Sequence, residues 1–190
     1  MDSDIELMLR TKAGDDSAFS ELMKRHYKGV LNYIYRFTNL KENSEDLAQE
    51  VFLRVYRSAD NYRPEAKFTT WLYKIATNVS LTHVKKNNVD VSLDEMSENT
   101  GEYEDSDVEI SDSIIYRKEM KKVIFNAMET LPEREKIAIM LCKYEGLSYE
   151  ETAEVLECTV GAVKAYVHRG RMKLVTKLRP YLTEEDEYGL

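Results

Sequence analysis

Seven basic side chains fall within one segment, residues 159–179, that contains no Asp or Glu. Cations without neighbouring carboxylates favour contact with a polyanion such as a nucleic-acid backbone. The alternative is a solvated basic face on an ordinary helix, which is what most charge runs are. The basic residues are Lys164, His168, Arg169, Arg171, Lys173, Lys177 and Arg179.

The residues around this segment predict a helix-turn-helix. Ser148 and Glu151 have the Ser-x-x-Glu spacing of a capping box, which starts a short helix ending near Leu156. Thr159 is the expected cap of a second helix that runs to about Arg179, before Pro180. A small residue and several apolar residues are expected to hold the two helices together. They are Ala153, Val155, Leu156, Val160, Val163 and Val167.

The second helix has the pattern of a DNA-recognition helix. Lys164, His168 and Arg171 recur at i, i+4 and i+7, so they share one face. In a helix-turn-helix, side chains in the N-terminal half of this helix reach base edges, and cations meet phosphates. Arg169, Arg171 and Lys173 are expected to grip phosphate. The predicted DNA-contact set is Thr159, Lys164, Ala165, His168, Arg169, Arg171 and Lys173.

A second candidate nucleic-acid surface lies in the first half, where aromatic and basic residues interleave. Aromatic rings stack on unpaired bases and cations follow the backbone, which is the chemistry of single-strand binding. Phe68 and Trp71 are instead expected in the core, because large aromatics at helical spacing usually pack there. The candidates are Tyr62, Arg63, Lys67, Lys74, Asn78, His83, Lys85 and Lys86.

The formal net charge of -8 conceals an uneven distribution. Ten acidic residues and no basic one lie in residues 87–113, and four more acids lie in the last eight residues. The other 21 acids face 27 Lys and Arg, an excess of about six positive charges. Residues 89–113 are therefore predicted to form a flexible, self-repelling linker, with an ordered acidic loop as the alternative.

The chain is predicted to be all-α, with two small helical domains. Gly and Pro are scarce, and the apolar residues recur at helical rather than alternating spacing. The predicted domains are residues 1–88 and 114–182, followed by an acidic tail, 183–190. The expected helices are 3–13, 16–38, one beginning after Asn43 or Ser44, 67–86, 113–130 and one from Pro132 to about Glu145, and then the two helices of the helix-turn-helix.

Two separate motif clusters resemble the extracytoplasmic-function (ECF) sigma factors of the bacterial sigma-70 family. The stretch "LPEREKIAIMLCKYEGLSYEETAEVLECTVGAVKAYVHRGRMKL" is similar to the promoter-reading C-terminal region of that family. "SEDLAQEVFLRVYRS" and "FTTWLYKIATN" are similar to its polymerase-binding and promoter-melting segments. The resemblance spans nearly the whole chain in the family's order.

The resemblance implies roles that spacing alone does not. It assigns Asp46, Gln49, Glu50 and Leu53 to docking on core RNA polymerase, although their i, i+3, i+4, i+7 spacing by itself predicts only a solvent face. It assigns the loop Tyr62–Lys67 to a pocket for the minus-10 element, Asn78 to strand separation and the C-terminal helix-turn-helix to the minus-35 element. The implied partners are promoter DNA, the coiled coil of the largest polymerase subunit, the polymerase flap and a cognate anti-sigma factor, often membrane-bound.

Three residues depart from the family pattern. Glu157 stands where the family commonly has Gly, at a turn position that often requires a positive φ. Lys164 replaces a frequent Arg, so a point charge replaces a bidentate group. His168 is also unusual. These departures bear on the promoter sequence rather than on the class of protein.

Two other classes of function compete with a sigma factor. An enzyme is disfavoured because His26, His83 and His168 fit no metal-ligand or triad spacing and no Gly-rich phosphate loop occurs, so no cofactor, metal or small-molecule substrate is expected. A stand-alone helix-turn-helix regulator with an N-terminal sensing domain is the closer rival. The single-strand platform of the first half speaks against it.

The sequence also predicts a cytoplasmic protein. Its N-terminus lacks the features of a signal peptide, and its longest apolar run, Ile137–Cys142, is too short to span a membrane. Two cysteines, Cys142 and Cys158, do not suggest a disulfide framework.

Overall fold

The computed structural model describes residues 3–39, 41–90 and 112–181, and these residues form eight α-helices without a strand. The all-α prediction is therefore confirmed. The chain divides into two compact units, Met1–Tyr103 and Glu104–Leu190. The first unit contains α1 (Asp4–Lys12), α2 (Asp16–Thr38), α3 (Lys41–Arg57) and α4 (Phe68–Asp90). The second contains α5 (Asp112–Glu129), α6 (Glu133–Ile139), α7 (Tyr149–Leu156) and α8 (Val160–Leu178).

Helix α2 is the centre of the first unit and packs against α1, α3 and α4. Its buried face includes Val30, Tyr33 and Ile34, which are fully inaccessible to solvent. The Tyr33 hydroxyl lies 2.7 Å from Thr77 Oγ1 on α4, so the two buried hydroxyls satisfy each other. Val51, on α3, closes the core from the other side.

The boundaries of α1 and α2 follow local signals. Ser3 and Glu6 form a capping box at the start of α1. The Asp15 carboxylate accepts hydrogen bonds from the backbone N–H groups of Ser17 and Ala18 at the start of α2. Asn39 ends α2 in a left-handed conformation, with a φ of 57°.

The predicted start of the third helix, after Asn43 or Ser44, is wrong. Helix α3 begins at Lys41, immediately beyond the turn at Asn39. Ser44 is fully buried inside the helix instead of capping its end. Asn43 and Ser44 therefore lie inside α3, and Asn39 ends the preceding helix.

Helix α8 is the centre of the second unit and packs against α5, α6 and α7. Pro132 has a ψ of 142° and occupies the N-cap position immediately before α6. The sequence predicted Pro132 as the first helical residue, so that prediction is wrong by one position. Beyond Ile139 the helix widens into a π-helical turn, Met140–Tyr144. The spacing of apolar residues in the sequence did not predict this turn. Gly146, with a φ of 69°, ends it.

The predicted domain boundaries fall within helices. Helix α4 continues two residues beyond residue 88, and α5 begins at Asp112, within the predicted linker. The rest of that linker and the acidic tail lie outside the described residues. The placement of the linker therefore stays a prediction.

Glu157 joins α7 to α8 in a left-handed conformation, with φ 50° and ψ 51°. The expectation that this turn requires a positive φ is confirmed. A residue with a Cβ atom pays about 1–2 kcal/mol for this conformation, whereas glycine adopts it without a steric cost.

We predict that Glu157→Gly raises the free energy of unfolding of the C-terminal unit by about 1 kcal/mol. Differential scanning calorimetry of the full chain measures this. Glu154→Gly is the matched control, because Glu154 is an exposed acid within α7; it should lower stability by about 1 kcal/mol. Equal losses in both variants would contradict the strain at residue 157.

Candidate nucleic-acid interface

Two capped helices place the C-terminal candidate surface. Ser148 Oγ accepts from the Glu151 N–H at 3.1 Å, and Glu151 Oε2 accepts from the Ser148 N–H at 2.7 Å. Thr159 Oγ1 accepts from the Ala162 N–H at 3.2 Å. Both predicted caps are confirmed, so the start of each helix is fixed by a side chain three residues away.

Apolar side chains hold α7 against α8. Ala153, Val155 and Leu156 on α7 are buried, as are Val163 and Val167 on α8. Val160 is half-buried. The predicted seam between the helices therefore exists, and it fixes which side of α8 faces solvent.

Lys164, His168 and Arg171 are all exposed on that outer side. No ion pair joins these three side chains to another residue within the described ranges. Ala165 is half-buried beside them, and the Thr159 hydroxyl is occupied at the cap. Three side chains capable of contacting DNA thus remain together on an otherwise small-residue face.

Arg169 and Lys173 are placed differently from what the sequence predicts. Arg169 Nε donates to Glu135 Oε1 at 3.0 Å, and Lys173 Nζ donates to Glu135 Oε2 at 2.8 Å. Glu135 lies on α6 and is 6% exposed. Residues 159–179 contain no Asp or Glu, but in the folded unit Glu135 of α6 lies beside them. Their assignment as phosphate grips is not supported by this geometry.

Burial of the Glu135 carboxylate raises its pKa, yet hydrogen bonds from Lys173 and Arg169 hold that pKa below its usual value. The carboxylate is therefore ionised at neutral pH and holds both cations. The Arg169 guanidinium also lies over the Tyr166 ring, 5.4 Å from its centroid.

Sequence reasoning missed Gly170, which is buried where α8 crosses α6. A Cβ atom at this position would lie 2.6 Å from Ile139 Cδ1 and 3.4 Å from Glu135 Cβ. Only glycine permits this approach without a shift. A glycine inside a basic helix was the available signal, since glycine costs a helix about 1 kcal/mol.

In the first unit, Tyr62 does not lie on the surface. Its side chain is 1% exposed, and its ring lies 5.3 Å from Trp71 and 6.3 Å from Phe68. A base could stack on Tyr62 only if the ring left this cluster. Tyr62 thus packs beneath the loop 62–67 in this structure, and its assignment to DNA contact stays a prediction.

The remaining candidates of the first unit lie around that loop and along α4. The exposed ones are Arg63, Lys67, Asn78, Lys85 and Lys86. Lys74 and His83 are half-buried. Phe68 is buried and Trp71 half-buried, as expected for core aromatics.

Asn78 opens onto a groove between α3 and α4 that the sequence did not reveal. The groove has a volume of about 250 Å³. Its lining also includes Arg54, Arg57, Ser58 and Ile75. Two arginines three positions apart in "FLRVYRS" were the available signal. Arg57 adds positive charge beside Asn78, whereas Arg54 is paired with Glu50.

The predicted polymerase-docking residues share an exposed side of α3. Asp46 and Gln49 are exposed, and Leu53 is 48% exposed. Glu50 accepts a hydrogen bond from Arg54 Nε at 2.7 Å. Burial and the carboxylates of Glu45 and Asp46 raise the pKa of Tyr27, which reflects the negative potential at this end of α3.

Comparison with known proteins gives matches in both halves of the chain. The family model Sigma-70 region 2 matches residues 22–89, and the model Sigma-70, region 4 matches residues 121–174. The RNA polymerase sigma-H factor of Pseudomonas aeruginosa is 32% identical, with 96% of this chain and 97% of the relative covered. The ECF RNA polymerase sigma-E factor of Escherichia coli is 30% identical, covering 95% and 96%. This chain belongs to the ECF sigma factors of the sigma-70 family.

Solved structures of low sequence identity share the fold of this sigma factor. CnrH, solved in complex with the cytosolic domain of CnrY, has a TM-score of 0.71 at 22% identity, covering 94% of this chain and 99% of CnrH. The sigma factor RpoE of Bartonella quintana, solved with the anti-sigma factor NepR, has a TM-score of 0.66 at 19% identity. That match covers 85% of this chain and 96% of RpoE.

The two family matches bear on the competing functions. The region 2 match includes α3 and the loop 62–67, so the first half of this sigma factor is not a separate type of sensing domain. The stand-alone regulator is therefore not favoured. Within the described ranges, no three His, Cys, Asp or Glu side chains are grouped to hold a metal ion, and no helix is long and apolar enough to cross a membrane.

We predict that Tyr62→Ala lowers the free energy of unfolding of the N-terminal unit by about 3–5 kcal/mol, because it removes a buried aromatic side chain. Fluorescence of Trp71, the single tryptophan, follows this unfolding in denaturant. Tyr62→Phe keeps the ring, and should change stability little because the hydroxyl's bond to the Ala66 carbonyl is long, at 3.4 Å.

Arg63→Ala tests the neighbouring surface position and should change stability by less than about 0.5 kcal/mol. A small loss for Tyr62→Ala, similar to that for Arg63→Ala, would show that the ring is not part of the core in solution.

Proposed function

We propose that this ECF sigma factor binds core RNA polymerase through α3, recognises and opens the minus-10 element around loop 62–67 and α4, and reads the minus-35 element with α8. The observation that carries this proposal is the exposed trio Lys164, His168 and Arg171 on a capped helix of a region 4 match. Nucleotidyl transfer belongs to the polymerase, and this chain contributes no bond chemistry.

The minus-35 contact set is narrower than the sequence suggests. Lys164 and His168 lie in the N-terminal half of α8, from which side chains reach base edges in the major groove. Arg171 lies further along and suits a phosphate. Thr159 and Ala165 border this face. Arg169 and Lys173 are left out, since Glu135 holds both.

For the minus-10 element, the exposed polar groups beside the buried aromatic cluster support single-strand binding. Arg63 and Lys67 border the loop, and Asn78 lies in the groove with Arg54 and Arg57. Cations there can follow the backbone of a separated strand. Lys74, His83, Lys85 and Lys86 extend the basic character along α4.

The proposed setting is cytoplasmic, with core polymerase and promoter DNA as partners. A polymerase surface suited to α3 combines bases with an apolar contact, because Asp46 and Glu50 flank the exposed Leu53. A cognate anti-sigma factor, membrane-bound or not, completes the proposal. The Bartonella quintana RpoE complex offers an example of such a partner for a protein of this fold.

We predict that the purified chain enables core RNA polymerase to make run-off transcripts from genomic promoter fragments, and that Asp46→Lys with Glu50→Lys abolishes this and co-purification with core. Both carboxylates lie on the exposed side of α3, so the reversal should repel a basic partner and leave helicity unchanged.

Asp60→Lys is the control, since it reverses the charge of one carboxylate at an exposed position outside α3. It should leave association with core intact. Normal co-purification of the double variant would contradict the docking surface, and absence of any core-dependent transcript with the wild-type chain would contradict the function.

We predict that Lys164→Ala changes which minus-35 bases the holoenzyme prefers, with about 1–3 kcal/mol of discrimination lost at one position. A panel of promoter variants in transcription assays measures this. Lys177→Ala, near the end of the same helix, should leave the preference unchanged. A uniform loss of activity with unchanged preference would make Lys164 a phosphate contact, and loss from DNA already open at minus-10 would contradict the division of roles between the units.

A further inference from the structure

Glu135 is a buried carboxylate with a cation on each oxygen. Its Oε1 accepts from Arg169 at 3.0 Å, and its Oε2 accepts from Lys173 at 2.8 Å. Glu135 is 6% exposed, whereas the two cations are 52% and 47% exposed. The arrangement resembles a basic pair around a phosphate, with a carboxylate of the same chain in the phosphate's place.

The backbone fixes this arrangement. Gly170 lies between Arg169 and Lys173 in the sequence and packs against Ile139, one turn after Glu135 on α6. Because any Cβ at Gly170 would meet Ile139, the two helices cross closely here and bring Glu135 against the adjacent turn of α8. The ion pairs therefore form beside a close helix contact and are not chance contacts of long surface side chains.

The electrostatic consequence concerns DNA. Binding of a polyanion gains free energy by releasing counter-ions, in proportion to the number of phosphates that protein cations neutralise. Glu135 binds one cation on each of its oxygens, so Arg169 or Lys173 must break its hydrogen bond to that carboxylate before it can serve a phosphate. Lys164, His168 and Arg171 have no such restriction within the described residues.

We propose that Glu135 is a positioning residue that withholds Arg169 and Lys173 from the DNA backbone, and so keeps the sequence-independent affinity of the recognition helix low. The inference rests on the proposed minus-35 contact of α8. Its benefit is in specificity, since discrimination depends on the ratio between promoter and non-promoter binding. Arg169 and Lys173 thus hold α8 against α6, whereas Lys164, His168 and Arg171 are left to meet DNA.

The salt dependence of binding tests this division. The probe is a fluorescein-labelled duplex of non-promoter sequence, titrated with the full chain by anisotropy between about 50 and 200 mM salt. Glu135→Gln removes the charge while keeping the side chain's shape, so the slope of log K against log salt should steepen by about one to two. Helicity by circular dichroism shows whether the variant is folded.

Two matched cation variants test whether Arg169 is withheld from DNA without changing Glu135. Arg169→Gln and Arg171→Gln remove the same charge two positions apart on one helix. Arg169→Gln should leave the slope unchanged, because the proposal gives Arg169 no phosphate contact while Glu135 holds it. Arg171→Gln should make the slope shallower by about one. If Glu135→Gln is unfolded, this pair gives the result alone.

The outcomes separate the inference from the proposed function. An unchanged slope in folded Glu135→Gln, or a slope as shallow for Arg169→Gln as for Arg171→Gln, would overturn the role of Glu135 and leave the DNA surface standing. If neither Arg171→Gln nor Lys164→Gln altered the slope, the proposed DNA surface itself would be wrong.

Discussion

The close crossing of α6 and α8 at Gly170 is the constraint on which the C-terminal unit depends. It lets Ile139 pack where a Cβ would otherwise stand, and it carries Glu135 to a point between two cations of the recognition helix. The rotation of α8 about its own axis is thereby set, because the buried side must hold Gly170, Val163 and Val167. Everything that α8 can offer to DNA follows from this rotation. The α7–α8 turn then only has to bring the second helix back onto α6.

The N-terminal unit solves a different problem with a cluster of aromatic rings. Loop 62–67 lies over a cluster formed by the rings of Tyr62, Phe68 and Trp71. Buried rings contribute large contact areas with few rotatable bonds. The loop can therefore keep its polar and basic groups outward. Tyr62, the ring that the sequence proposed for base contact, instead packs beneath the loop with Phe68 and Trp71, which were expected in the core.

Sequence alone predicted those features that are decided within a few residues of the chain. The caps at Ser148 and Thr159 are side chains bonded to backbone three positions away, so their spacing in the sequence predicts them, whereas the left-handed turn at Glu157 was expected from the Gly that the resembling family commonly has there. The Glu135–Arg169 pair joins residues 34 positions apart and depends on how two helices cross. The burial of Tyr62 depends on packing around a loop, where no periodicity exists to indicate it. The π-helical turn after Ile139 similarly lacks a pattern in hydropathy.

The distance in sequence between Glu135 and α8 also explains why a count of charges in residues 159–179 does not show which cations of α8 are already paired. A run of bases without an acid predicts a surface that is uniformly attractive to phosphate, but each cation's availability depends on carboxylates from other elements. A phosphate can bind Arg169 or Lys173 only in competition with the Glu135 oxygen that already accepts a hydrogen bond from that cation. The helix therefore presents fewer usable charges than it contains. A sigma factor that contacts a promoter through two units would bind each promoter element only weakly if each unit had a modest surface. Total affinity would then depend on both units binding at once. DNA that contains only one of the two elements would be discriminated against more strongly.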